Sequence, residues 1–176
     1  TKYPSRSDND TAIKYPDKFV FDKILKQGKP VMQTRNPKLV LSYNGGKAIV
    51  YQIKTTTKKY ALKCWVEDLG DLKIRYNEID KYLQKYNLPY FVDFSYKEQG
   101  ILVNGSKFPI ARMEWIDGIN LKKFITNNVN NPVHIRNFAE EFLNMVNTLH
   151  QKQISHGDLH HGNIVVERNG KIYLID

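Results

Sequence analysis

"ISHGDLHHGNIVVERNGKIYLID", residues 154–176, crowds His156, Asp158, His160, His161, Asn163 and Asp176 around a short apolar run. Read as a metal site, it offers three histidines and an aspartate within six positions. A zinc hydrolase loop would need further ligands from elsewhere, and the remaining histidines, His134 and His150, fall in an amphipathic helical pattern. Read as a purely structural loop, His156 and His160 would only hydrogen-bond within a tight turn. A third reading accounts for more positions. "NIVVE" and "KIYLI" flank Arg168-Asn169-Gly170, a hairpin whose Asn and Gly tolerate positive φ. A hairpin brings its two ends together, so Asn163 and Asp176 would face each other, with Asp158 projecting into the same space. Two oxygen ligands for a magnesium ion, plus a separate carboxylate beside an incoming hydroxyl, are the parts that phosphoryl transfer requires.

Working outward, the chain of 176 residues is 41% hydrophobic and 12% aromatic, which suits a globular domain of one or two lobes. Cys64 is the one cysteine, so no internal disulfide can form, which fits a reducing compartment. No apolar run approaches about 18 residues and no signal pattern opens the chain, so a cytoplasmic protein without a membrane span is expected. Twenty-seven Lys and Arg against 18 Asp and Glu give a net charge of +9. That balance suits an anionic partner or a lysine-rich solvated surface. Direct nucleic-acid binding is not expected, because no stripe of Lys and Arg interleaves with exposed aromatics. The first residue is Thr1 rather than methionine, so a processed or trimmed chain is expected.

Residues 1–37 read as an irregular extension with one short helix near Phe19 to Leu25. "KLVLSY" (38–43), "KAIVYQIK" (47–54) and "KYALKCW" (59–65) read as three antiparallel strands separated by "NGG" and "TTTK" turns. In 70–87, Leu72, Tyr76, Ile79 and Leu83 repeat at helical spacing. "YFVDFSY" (90–96) and "KFPIARMEWI" (107–116) read as two further strands, with "ILVNG" as the turn between them. A short helix follows Asn120. The strongest helix starts at an Asn131 cap with Pro132 in its first turn, and its apolar stripe is Ile135, Phe138, Phe142, Val146 and Leu149.

"HGDLHHGNIVV…IYLID" resembles the catalytic loop and metal-binding strand of the protein kinase-like fold. It is closest to the form found in bacterial eukaryote-like kinases and small-molecule kinases such as the aminoglycoside phosphotransferases. "NGGKAIVYQIK…KYALKCW" resembles the glycine-rich loop with the next two strands, "RYNEID" falls where the family has its C helix, and "LPYFVDF" with "PIARMEWIDGINL" resembles the strands leading to the hinge. The resemblance covers roughly residues 3–176 and its catalytic-loop motif is its strongest part. It implies an α+β fold: a five-stranded antiparallel N-lobe sheet with its C helix, and a partial helical C-lobe. The expected division is 1–37 extension, 38–116 N-lobe, and 117–176 partial C-lobe with two helices, catalytic loop and metal-binding hairpin.

By the same resemblance, Asp158 would accept or orient the proton of a substrate hydroxyl. Asn163 and Asp176 would hold Mg²⁺ against the phosphates of ATP. Lys63 would contact the α- and β-phosphates. Glu78 would orient that lysine, with Asp80 as the competitor. Gly45 matches the middle glycine of the family's loop, leaving Tyr43 and Ala48 at the other two positions, and the amides around Gly45 and Gly46 would approach phosphate. Val50 and Ala61 would cap the adenine, Met113 takes the gatekeeper position, and the backbone of Glu114 and Ile116 would bond the adenine edge. His160 stands where many protein kinases carry a lysine that touches the γ-phosphate, which would make activity pH-sensitive. Gly157 replaces the arginine that senses a phosphorylated activation loop, and His156 would prop the loop. The implied function is an ATP- and Mg²⁺-dependent Ser/Thr protein kinase domain, with a protein substrate. A small-molecule phosphotransferase and a nucleotide-binding pseudokinase scaffold are the alternatives. Since the substrate-binding helices would follow Asp176, the chain reads as a C-terminally incomplete domain, and a partner or further residues would cover the 132–151 helix.

Overall fold

The structure, a computed structural model, describes residues 2–154 and 163–175. The chain forms an α+β fold of two compact units, Thr1–Asn87 with Asp93–Trp115, and Leu88–Val92 with Ile116–Asp176.

The first unit opens with α1 (Arg6–Ile13), which starts at a capping box. The Ser5 hydroxyl accepts from the Asp8 amide, and the Asp8 carboxylate accepts from the Ser5 amide at 2.9 Å. Then come α2 (Pro16–Phe19), a 3-10 turn at Leu25–Gln27, and β1 (Lys29–Pro30). This is more order than the irregular extension expected of residues 1–37. Ile13, Val20 and Leu25 are fully buried, packed in one cluster with Tyr51, Ile53, Leu62, Ile101 and Ile110. Burying three such side chains contributes about 1.5–3 kcal/mol each. The segment belongs to the first unit because each short element donates one or two apolar residues to the sheet. With so few per element, no helical or strand period shows in the sequence.

The sheet itself is β2 (Ser42–Gly45), β3 (Ala48–Lys54), β4 (Lys59–Trp65), β5 (Phe94–Val103) and β6 (Ser106–Glu114), with β1 as a two-residue addition. Its order is β1-β3-β4-β6-β5, with β2 also on β3. β1 pairs with Ile53 and Lys54, and β2 pairs with 48–51, so the two follow each other along one edge of β3. "KLVLSY" therefore becomes a strand only at Ser42; Val40 before it makes a lone bridge to Met32. Likewise "ILVNG" is not a turn as a whole. Ile101 to Val103 complete β5, with Ile101 and Val103 buried, and only Asn104 (φ 49°) and Gly105 (φ 78°) turn.

Alternation gives the sheet two faces. Ile49, Tyr51, Ile53, Tyr60, Leu62, Cys64, Phe108 and Ile110 make the back face, covered by the N-terminal segment. Burial pushes the Cys64 thiol above its ordinary range. Burial and the Asp10 carboxylate, which accepts the Tyr51 hydroxyl at 2.6 Å, raise Tyr51 likewise. On the front face, Ala48, Trp65, Tyr96 and Ala111 are buried beneath α3 (Leu72–Tyr86). Burial also lifts the Tyr96 phenol to about 12. Gly100 sits at the register shift of β5, and a Cβ there would overlap Ile110 Cγ1 and lie 2.6 Å from its Cδ1. Ile110 is itself 1% exposed and cannot retreat. Gly100→Ala is expected to cost about 1–3 kcal/mol as overpacking, read as a fall in melting temperature; an unchanged melt would show that the bulge has room.

In the second unit, β7 (Ile119–Asn120) joins β8 (Ile164–Val166) and β9 (Ile172–Leu174) in a sheet of order β7-β8-β9. α4 (Leu121–Asn128) is capped by the Asn120 side chain, which accepts from the Lys123 amide at 2.9 Å. α5 (Pro132–Gln151) is capped by Asn131 with Pro132 at its first position. The expected stripe of α5 lies on its packed side, but its most buried member, Met145, falls between the expected Phe142 and Val146. "YFVDFSY" is divided between the units. Phe91 bridges Leu174 in parallel and Leu174 donates to the Tyr90 carbonyl, while β5 begins at Phe94. The unit boundary accordingly falls at Trp115/Ile116, with 88–92 in the second unit rather than the first. Among the described residues, no helix is long and apolar enough to cross a membrane.

Candidate functional site

Strand register decides which of the expected residues meet. Val50 on β3 lies directly opposite Lys63 on β4, and Lys63 opposite Ala111 on β6. One row along, Gln52 is opposite Ala61, and Ala61 opposite Met113. Paired residues of an antiparallel sheet project to the same side, as do residues two apart. Val50, Ala61, Lys63 and Met113, drawn from three strands, therefore share the front face. All four are half-buried, whereas Ile49, Tyr51, Tyr60, Leu62, Cys64 and Arg112 beside them on the back face are buried. The result is a short apolar strip bordered by one ammonium group.

α3 covers the far end of this face through a single aromatic side chain. The Tyr76 ring meets Trp65 edge-on at 5.2 Å and stacks with Tyr96 at 5.6 Å. The Lys63 ammonium lies 6.0 Å from the centre of the same ring. The sequence did not single out Tyr76 for this position. Glu78, expected to orient Lys63, lies on the exposed side of α3. Asp80, its competitor, faces the sheet, where its carboxylate accepts from the Tyr96 amide at 3.3 Å and from Gln84 at 3.0 Å.

The glycine-containing segment is a tight hairpin. Gly45 pairs with Ala48, and Gly46 turns with φ at 36°. A Cβ on Gly46 would meet nothing within 4 Å, so the requirement for glycine there comes from the backbone conformation. Ala48 begins β3 and is buried, so its methyl group belongs to the packing beneath α3.

At the end of β6, the Glu114 amide donates to the Asp93 carbonyl at 3.0 Å. Any contact of Glu114 with a ligand edge would therefore use its carbonyl. The Glu114 side chain pairs with the Lys58 ammonium at 3.0 Å, and that bond raises the lysine above its usual range. Ile116 belongs to the second unit, where its carbonyl accepts from the Gly118 amide at 3.1 Å. A Cβ on Gly118 would sit 2.6 Å from Val165 Cγ1 and 2.7 Å from the Val166 carbonyl oxygen, so this chain reversal admits only glycine.

In the second unit the β8–β9 ladder pairs Ile164 with Leu174 and continues outward, the Ile175 amide donating to the Asn163 carbonyl at 2.9 Å. Asn163 is thus held opposite residue 175. Asp176, Asp158 and His160 lie outside the described residues. Two neighbours of the strip, Gln52 and Trp115, were not singled out in the sequence. The period of β3 could have found Gln52, which alternates with Val50 on the front face.

Residues 44–176 match the family described as protein kinase domain. A curated relative, serine/threonine-protein kinase PrkC of Bacillus subtilis (strain 168), is 34% identical over 67 residues, 36% of this chain. The match spans 10% of that relative's length.

Proposed function

From the premise that this chain belongs to the protein kinase domain family, we propose that it binds ATP with Mg²⁺ and transfers the terminal phosphoryl group to Ser or Thr hydroxyls of a protein. What supports the reading above all is the front-face arrangement: the apolar strip of Val50, Ala61 and Met113 suits a flat base, and Lys63 beside it suits phosphate. By the catalytic-loop motif, the amide of Asn163 and the carboxylate of Asp176 are the oxygen groups that would suit a hard cation. ATP would supply the transferable group, and Mg²⁺ would neutralise its charge.

The roles of the protein's own groups follow from this. Lys63 holds negative charge at the phosphate end of the strip. The amides of Gly45 and Gly46 donate to phosphate oxygens. Asn163 and Asp176 hold the cation. Asp158 accepts the proton of the incoming hydroxyl, and His160 donates to the phosphoryl group as it passes. Glu114 and Ile116 read the base edge through their backbone.

The test is transfer of label from γ-labelled ATP by the intact protein, followed by identification of the labelled residue, alongside the melting temperature with and without ATP and Mg²⁺. Label on serine or threonine is the expected result. Label found only on a small-molecule acceptor would move the assignment to a small-molecule phosphotransferase. A thermal shift without transfer would make it a nucleotide-dependent scaffold. Neither shift nor transfer would end the nucleotide reading.

A further inference from the structure

We propose that the β1–β4 side of the first unit is a docking surface for a nucleic-acid duplex, held through its phosphate backbone; this reaches beyond the kinase reading and does not rest on it. Residues 23–66 contain ten Lys and Arg and no Asp or Glu. The other 132 residues carry 17 Lys and Arg against 18 Asp and Glu, so the whole net charge of +9 resides in this one stretch. It folds into the 3-10 turn and β1, β2, β3 and β4. Eight of its ten cations are exposed. Lys47 and Lys58 pair with Glu67 and Glu114. Lys23, Lys26, Lys29, Arg35, Lys38 and Lys54 have no acidic partner among the described residues.

The fold gathers these cations. β1 sets Lys29 directly opposite Lys54, and β3 sets Lys54 directly opposite Lys59. Three lysines from three strands thus form one row on the front face, beyond Gln52 and Ala61. Neighbouring strands are about 4.8 Å apart, so the row spans about 10 Å. Arg35 and Lys38 sit in the hairpin that continues β1: Met32 bridges Val40, and the Leu41 amide donates to the Val31 carbonyl at 2.8 Å. Like charges directly opposite one another in a sheet repel, so the row opposes the fold unless an anion lies across it. Nine of the ten cations are lysines, point charges rather than planar forks, which suits recognition of charge density over shape. A duplex presents about one negative charge per 1.7 Å of its axis, whereas an acidic polypeptide presents at most one per residue, about 3.3 Å apart. The expectation against nucleic acid rested on the lack of interleaved aromatics, which stack on single strands; a duplex backbone is held by charge alone.

The test is fluorescence anisotropy of labelled DNA and RNA duplexes of about 20 base pairs with the intact protein over a range of salt. Both duplexes should bind, without regard to sequence, with log K falling linearly as log salt rises. Lys29→Gln with Lys54→Gln in one chain should make that slope shallower by about 1.8, which at about 0.1 M salt is roughly 60-fold weaker binding. This double variant should melt no lower than wild type, since it relieves the row. Lys122→Gln with Lys123→Gln, two exposed lysines of α4, should leave the slope nearly unchanged. Equal loss in that control would make the attraction a property of any basic chain and overturns the surface. A wild type that binds neither duplex, or an unchanged slope in the Lys29 and Lys54 variant, overturns it as well. So does displacement of the duplex by ATP at constant ionic strength, which would place it in the nucleotide strip. Polyglutamate of matched charge binding as tightly would mark a surface for acidic proteins instead. None of these outcomes bears on label transfer from ATP, so the kinase reading stands or falls separately.

Discussion

Lys63→Ala is expected to lower the rate of phosphoryl transfer by about 10²–10³-fold, the usual consequence of removing one preorganised electrostatic partner from a reacting centre. The lysine sits midway along β4, opposite Val50 and Ala111, with Ala61 and Trp65 two positions to either side on the same face. A half-buried ammonium among apolar side chains has lost part of its hydration, and such a group is retained where an anion compensates it. The Tyr76 ring lies 6.0 Å from the ammonium, a cation–π contact of about 0.5–1 kcal/mol. The stabilisation of the melting temperature by ATP and Mg²⁺ should shrink in the same variant. Lys63→Arg should not restore full rate, since a planar fork cannot replace a compact ammonium in so narrow a row. The measurement is single-turnover label transfer with the melt as a control for folding. Transfer at the wild-type rate in Lys63→Ala would remove this residue from the site and with it the main support for the front face as the nucleotide surface.

That face was legible in the sequence to the extent that strands announce themselves. β4 occupies the stretch "KYALKCW", β3 lies within "KAIVYQIK", and the register between them follows from a short connection. The Asn104-Gly105 turn is also the expected chemistry, though the apolar residues before it belong to the strand. The phase of α3 was legible only in part. Its expected stripe marks the packed side only through half-buried Tyr76 and Leu83: Leu72 is 41% exposed and Ile79 39%, and no residue of the helix is fully buried. Tyr76 carries the contact, and the helix turns Asp80 rather than Glu78 toward the sheet. A periodicity argument assumes that apolar residues point inward, and where one aromatic ring does the packing that assumption loses its force. Asp158, His160 and Asp176 rest on the catalytic-loop motif alone, because they lie outside the described residues.

The N-terminal segment was the largest misreading, and it leads to the second large effect: Asp22→Ala is expected to destabilise the first unit by about 3–5 kcal/mol, the cost of breaking a buried ion pair. Asp22 and Arg112 bury their side chains to 4% and 9% exposure. Arg112 Nε lies 3.4 Å from Asp22 Oδ2, within ion-pair range but misaligned for a hydrogen bond. The guanidinium also donates to Asp93 at 3.1 Å and covers the Tyr60 ring. Asp22 Oδ1 meanwhile accepts the amides of Ile24 and Leu25 at 2.9 and 3.0 Å, starting the 3-10 turn that delivers Leu25 to the core. The two functions separate by substitution. Asp22→Asn retains an oxygen for the amides and removes the charge; Asp22→Ala removes both, so it should be the more damaging in urea melts. If Asp22→Asn is as stable as wild type, the pair with Arg112 contributes nothing net and the turn alone matters. Arg112 immediately precedes Met113, and the carbonyl of its other partner, Asp93, holds the Glu114 amide. A segment outside the matched kinase region is thus fastened to the strand that ends the proposed base-binding strip, and loosening it should weaken ATP binding even at temperatures where Asp22→Asn remains folded.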